Sequence, residues 1–95
     1  MPTTITEIID QERGKHLLRI EGELLLDDAI LLEKIALDMR EHIGENITLD
    51  LADLDFMDSE SAPILQKMQF EHGFEIEGME IFLQTIVDQA EKRSV

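Results

Sequence analysis

The chain contains no cysteine. It can form no disulfide, no thiolate metal site and no cysteine nucleophile, which closes a large branch of catalytic chemistry and fits a reducing compartment. Positive charge is scarce too: eight Lys and Arg against 22 Asp and Glu leave a formal charge of −14 at pH 7. Nucleic-acid binding depends on cations that neutralise phosphates, and an anionic bilayer repels a chain of this charge. Neither nucleic acid nor membrane is therefore expected as a partner, which leaves a basic protein partner or plain solubility. No apolar run approaches the roughly 20 residues that span a bilayer, and the start, "MPTTITEIIDQE", lacks the basic and apolar regions of a signal peptide. There is no Gly-rich phosphate loop, internal repeat, low-complexity tract or linker. The expectation is a single cytoplasmic domain over residues 1–95, with 43% hydrophobic residues sufficient for one core.

What is present reads as alternating strands and helices. Thr4 to Asp10 and His16 to Leu24 favour strands, and "ERGK" between them supplies a Gly-containing turn, so a β-hairpin is predicted. Leu32, Ile35, Ala36, Met39 and Ile43 recur at spacings of three and four, the mark of an amphipathic helix. Asp27 and Asp28 suit its positive N-terminus, and Gly44 stops it. Ile47, Leu49 and Leu51 alternate with polar residues as a strand, with Phe56 and Met57 continuing into the core. A strand after a helix implies a crossover and a partly parallel sheet.

A second helix carries Ile64, Leu65, Met68 and His72 on one stripe and is read as fading at Ile76 to Gly78. Gly73 offers an earlier stop, after which Phe74 to Ile76 would pair with Met79 to Phe82 as a hairpin. Met79 to Leu83 is read as the last strand, and Thr85 as the cap of a short helix ending in "EKR". The predicted fold class is α/β: a small mixed, partly parallel four-stranded sheet with about three helices.

The segment "ITLDLADLDFMDSES" ends in two hydroxyls interleaved with two carboxylates. If Ser59 were the N-cap of the second helix, the amide of residue 63 would make the first helical hydrogen bond. Residue 63 is proline and has no amide hydrogen. The helix is therefore predicted to start between Ser61 and Pro63, which releases Ser59 from capping and leaves its hydroxyl in a strand-to-helix turn. The bland alternative is that Ser59 only hydrogen-bonds its own turn.

A catalytic serine needs a base, and His16, His42 and His72 show no spacing that builds a triad around this turn. Asp50, Asp53, Asp55 and Asp58 lack the glycine of a calcium loop, so no metal site and no cofactor are expected. A phospho-accepting Asp58, with Asp27 and Asp28 holding magnesium, would want a lysine from the last strand, and "MEIFL" carries none. The expectation is a protein that is not an enzyme.

The same residues resemble the central signature of the STAS domain, the fold of bacterial anti-sigma factor antagonists: an apolar strand, "DL", a short loop and "F-[IM]-D-S-S-G". A second block, "RIEGELLLDDAILLEKI", places Gly22, Leu24, Ala29 and Leu32 at the spacing of that family's "L-x-G-x-L" strand and first helix. The resemblance runs from about His16 to Ala90. It implies a cytoplasmic, bacterial regulatory module that binds a kinase-type anti-sigma factor or a related serine kinase, with Ser59 as the phosphorylation site and Asp58, Ser59, Glu60, Ser61 and Ala62 as the docking surface.

The chain departs from that pattern at four places. Glu60 and Ser61 stand where serine and glycine are usual, Pro63 replaces a small residue, and Leu25 replaces the aspartate after "GEL". Glu60 adds charge beside the acceptor and motivates the alternative, a STAS interaction subunit of a larger assembly with no phosphorylation cycle.

Overall fold

The computed structural model describes residues 3–84. β1 (Thr4–Asp10) and β2 (Lys15–Leu24) form the predicted antiparallel hairpin, with Ile5 opposite Ile20 and Ile9 opposite His16. α1 (Leu26–Ile43) follows, capped by Gly44 in the left-handed region (φ 77°). β3 (Ile47–Asp50) then pairs in parallel with the first half of β2, and β4 (Leu54–Met57) with its last residues. α2 (Ser61–Phe70), β5 (Glu75–Glu77) and a third helix, α3, whose residues 79–84 are described, complete the order. The sheet runs β1-β2-β3-β5, with β4 beside β2.

Among the described residues the sheet has five strands, where the sequence suggests four. β4 is a strand in its own right, set off from β3 by a turn at Ala52 and Asp53 and admitted by a bulge: Gly22 faces Leu54, whereas Glu23 faces Phe56. Phe56 does not run into the core; it is 46% exposed.

The second correction concerns the C-terminal elements. α2 stops at Phe70, and the last strand is Glu75–Glu77, paired in parallel with β3, not Met79 to Leu83. Arg40 of α1 draws the chain out of the helix: it bonds the His72 carbonyl and lies 4.3 Å over the ring of Phe74, which is buried. Asn46 takes the Gly73 carbonyl at 2.9 Å. The chain does leave the helix near Gly73, but Glu75 to Glu77 join β3 and do not fold back on Met79 to Phe82. Residues 79–84 are helical because their inward positions, Met79 and Phe82, are three apart, a helical spacing. The predicted cap at Thr85 lies outside the described residues.

Two-residue periodicity sorts the sheet into two faces. Leu18, Ile20 and Leu24 of β2 with Ile47 and Leu49 of β3 meet Ala29, Leu32, Ala36 and Met39 of α1 and Leu65 and Met68 of α2 in one core. The opposite face carries buried Leu17 and Thr48 together with a set of ion pairs. Lys15 Nζ lies 2.9 Å from Glu75 and 3.2 Å from Glu77, Arg13 reaches Glu77 at 2.7 Å and Asp10 at 2.6 Å, and Arg19 reaches Asp50 at 3.4 Å. These pairs are part-exposed, so salt screens them and each contributes little. No described helix is long and apolar enough to cross a membrane.

Candidate functional site

Leu24 ends β2 opposite Met57, which ends β4, so two parallel strands deliver two strand-to-helix turns side by side. Carboxyl ends of parallel strands are where ligands commonly meet α/β sheets. Asp58 joins the turns. Its amide donates to the Leu24 carbonyl at 3.2 Å. Its Oδ2 accepts the Leu26 amide at 3.0 Å, the first of α1, and its Oδ1 accepts the Ser61 amide at 2.8 Å, the first of α2. One carboxylate thus satisfies the free N-terminal donors of two helices and sits where both macrodipoles favour negative charge.

Leu25 explains why α1 borrows a cap. As N-cap residue it has no side-chain oxygen, so only the reciprocal half of a capping box survives: Asp28 Oδ2 accepts the Leu25 amide at 3.2 Å. Asp58 supplies the acceptor that Leu25 lacks. Leu25 itself is left 41% exposed.

The two serines separate sharply. Ser61 is fully buried, with its hydroxyl 2.6 Å from Asp58 Oδ1 and 3.1 Å from the Leu24 carbonyl. It is neither an N-cap nor part of an outward surface, because its side chain turns back under β2; Glu60 occupies the N-cap position and makes no side-chain cap bond. Ser59 and Glu60 are exposed in the turn, and the Ser59 hydroxyl makes no hydrogen bond to the described residues. Ala62 and Pro63 are exposed in the first turn of α2, and Asp58 is half-buried with both oxygens engaged. Of the five predicted docking positions, Ser59, Glu60 and Ala62 face outward; Asp58 and Ser61 hold them in place.

Sequence reasoning missed the exposure of Leu25 and Phe56, two large apolar side chains near the ends of β2 and β4. An apolar residue at a cap position was the available signal for Leu25. A shallow apolar pocket of about 200 Å³ adjoins the turn through Met57 and Ala62 and continues between α2 and α3.

The acids read as possible ligands do not converge. Asp50 is occupied by Arg19 and by the Ala52 amide at 3.0 Å, Asp53 lies 3.7 Å from Arg19, and Asp58 is committed to the helix ends. Among the described residues, no group of three or more His, Asp or Glu is assembled to hold a metal ion. His16 Nε2 lies 3.3 Å from a Glu45 carboxylate oxygen and His72 Nε2 3.3 Å from one of Glu33, so neither imidazole is set against Ser59.

The Ser61 hydroxyl, with the amides of Ser61 and Leu26, holds the Asp58 carboxyl below its ordinary value. The folded state therefore favours the ionised form. Its contribution to stability is complete above the unfolded value near pH ~4 and is lost as pH falls through the lower folded value. Asp10, Glu75 and Glu77 are depressed in the same direction by Arg13 and Lys15. Asp58→Asn should flatten the acid limb of a melting-temperature profile and lower the neutral plateau, since an amide presents a donor to one of the two helix ends. The contrast with salt is diagnostic: salt should soften the Arg13 and Lys15 contribution and leave the Asp58 contribution nearly intact.

Ser61→Ala removes a buried donor to a carboxylate and should cost about 1–2 kcal/mol of unfolding free energy by denaturant titration, with the fold retained.

Neither a protein-family model nor a curated protein sequence matches the chain. Solved structures do. A STAS-domain anti-sigma factor antagonist from Rhodobacter sphaeroides superposes with a TM-score of 0.62 at 20% identity, over 87% of this chain and 94% of that one. The anti-sigma factor antagonist SpoIIAA in its unphosphorylated form gives 0.55 at 17% identity, over 72% of this chain and 62% of that one. An uncharacterized Shewanella loihica protein with a SpoIIAA-like fold gives 0.50 at 18%, over 75% and 57%. The chain has the STAS fold.

Proposed function

We propose that this chain is a protein-binding regulatory module of the antagonist type: it docks on a kinase-type anti-sigma factor, or a related serine kinase, through the turn at residues 58–62, and phosphorylation of Ser59 releases it. The observation that carries the reading is the division of labour between two serines two residues apart. Ser59 offers an exposed hydroxyl beside Asp58 that makes no hydrogen bond to the described residues, while Ser61 is sealed in the core. A kinase can reach only the first. The likeness in fold to two anti-sigma factor antagonists supports the same reading.

Phosphorylation there would add about −1.5 to −2 charges between Asp58 and Glu60. Repulsion and desolvation would oppose docking, whereas the Asp58 bonds that hold the two helices leave the Ser59 side chain out of the fold. The switch acts on binding and not on folding. Affinity capture from the native host should recover a protein with a histidine-kinase-like ATPase fold. With ATP, that protein should transfer one phosphoryl group to the wild-type chain and none to Ser59→Ala.

A second reading rests on Glu60, which is exposed beside Ser59 and already supplies constant negative charge. On it the chain is a constitutive interaction subunit of a larger assembly. Capture of an assembly with no ATP-dependent labelling of Ser59 would favour this reading over the first.

A further inference from the structure

Among the described residues, the inner face of β1 is only partly covered: Ile5 is half-buried against the core, whereas Glu7 and Ile9 are exposed. Ile5, Glu7 and Ile9 share the helix-bearing side of the sheet and pair with Ile20, Leu18 and His16 of β2. Ile20 and Leu18 are 0% and 2% exposed, yet Ile9 one strand further out is 60% exposed. α1 rests on β2 and β3, so its far flank and β1 bound a groove of about 480 Å³. Ile5, Leu18, Ile35, Met39 and Ile43 supply its apolar lining, and Glu7, Asp38 and His42 its polar lining.

The dimensions suit one more helix. Helices pack about 8–10 Å apart, close to two strand spacings of about 4.8 Å, so the next position beside α1 falls over β1. Residues 5–9 extend about 13 Å along the strand and residues 35–43 about 12 Å along the helix, room for two to three helical turns. Charge selects the occupant. Glu7 sits between two isoleucines on β1 and lines the groove together with Asp38, so an apolar partner would strip water from two carboxylates without replacing it. A second copy of this chain, at a formal charge of −14, would add repulsion.

We infer that the β1–α1 groove is a second docking site, separate from the Ser59 turn, for a short amphipathic helix of a protein partner that carries an apolar stripe flanked by Lys or Arg. The partner helix completes the α layer, places its apolar residues on Ile5, Ile9, Ile35 and Ile43, and pairs its cations with Glu7 and Asp38.

The test is an NMR titration of the full chain with a 14-residue Leu/Lys peptide of helical periodicity, against a peptide of the same composition scrambled to destroy the stripe. The patterned peptide should shift amides of residues 5–9 and 35–43 and bind at least about tenfold more tightly than the scrambled one. The Glu7→Lys, Asp38→Lys double variant, which alters only exposed side chains, should melt like wild type and lose at least about tenfold in affinity. Asp38→Ala should lose less. Equal binding of the two peptides, shifts spread over the acidic surface or centred on residues 58–62, or full affinity in the folded double variant would overturn the inference. So would sedimentation showing that the groove closes on a second copy.

Discussion

Ser59→Asp is expected to weaken binding to a kinase-type anti-sigma partner by about 5- to 150-fold, equivalent to roughly 1–3 kcal/mol, without changing the melting temperature. The size follows from placing one more like charge beside Asp58 and Glu60 at a surface that must shed water. The unchanged stability follows from the exposure of Ser59 and the lack of any bond from its hydroxyl to the described fold. Ser59→Ala should bind as well as wild type or slightly better.

Ser61→Asp provides the contrast. It would set a carboxylate against the Asp58 carboxylate inside the core, where Ser61 is 0% exposed. That variant should lose both binding and folding, and a melt distinguishes it from a charge switch. Isothermal titration and thermal melts on the three variants check both parts. If Ser59→Asp binds like wild type while remaining folded, the turn does not switch by charge, and the constitutive-subunit reading stands in its place.

Elements whose apolar residues repeat over many positions were legible in the sequence. The hairpin, α1 with its Gly44 cap, and the start of α2 all emerged from patterning and from the missing amide of Pro63. The segment "MEIFL" was not, because five residues that mix acid and apolar side chains satisfy a period of 2 and a period of 3.6 about equally. β4 hid for a related reason. Its four residues pair only with the end of β2 and leave two positions exposed, so no buried alternation marks them.

The release of Ser59 from capping was derivable from one covalent fact, the proline ring. The role of Asp58 was not, since its donors include Leu26, a residue 32 positions away that only the β2–β4 pairing brings close. Local chemistry can be read from a sequence, but a cap shared by two helices depends on topology.

Gly78→Ala is expected to cost about 2–5 kcal/mol, or a fall of roughly 10 °C or more in melting temperature. Two costs combine. Gly78 has φ 78°, where a side chain is strained, and an added Cβ would lie 2.5 Å from the Ala52 backbone nitrogen and 2.9 Å from its Cα. The obstacle is backbone and cannot rotate away. Gly44, at φ 77° with nothing within 4 Å, isolates the first cost, so Gly44→Ala should lose only about 1 kcal/mol.

The difference between the two variants measures the close approach, and that approach bears on function. Ala52 lies in the turn that launches β4. The turn is held by the Leu51 amide on the Glu77 carbonyl at 2.9 Å and by the Gly22 amide on the Asp53 carbonyl at 3.4 Å. Pushing Ala52 outward shifts β4 along β2, and with it the Asp58 carboxylate that joins the two helix ends. A folded Gly78→Ala chain should therefore also show weakened protection of the Leu26 and Ser61 amides in hydrogen exchange. Unchanged protection at those two amides would show that β4 takes its position from β2 alone.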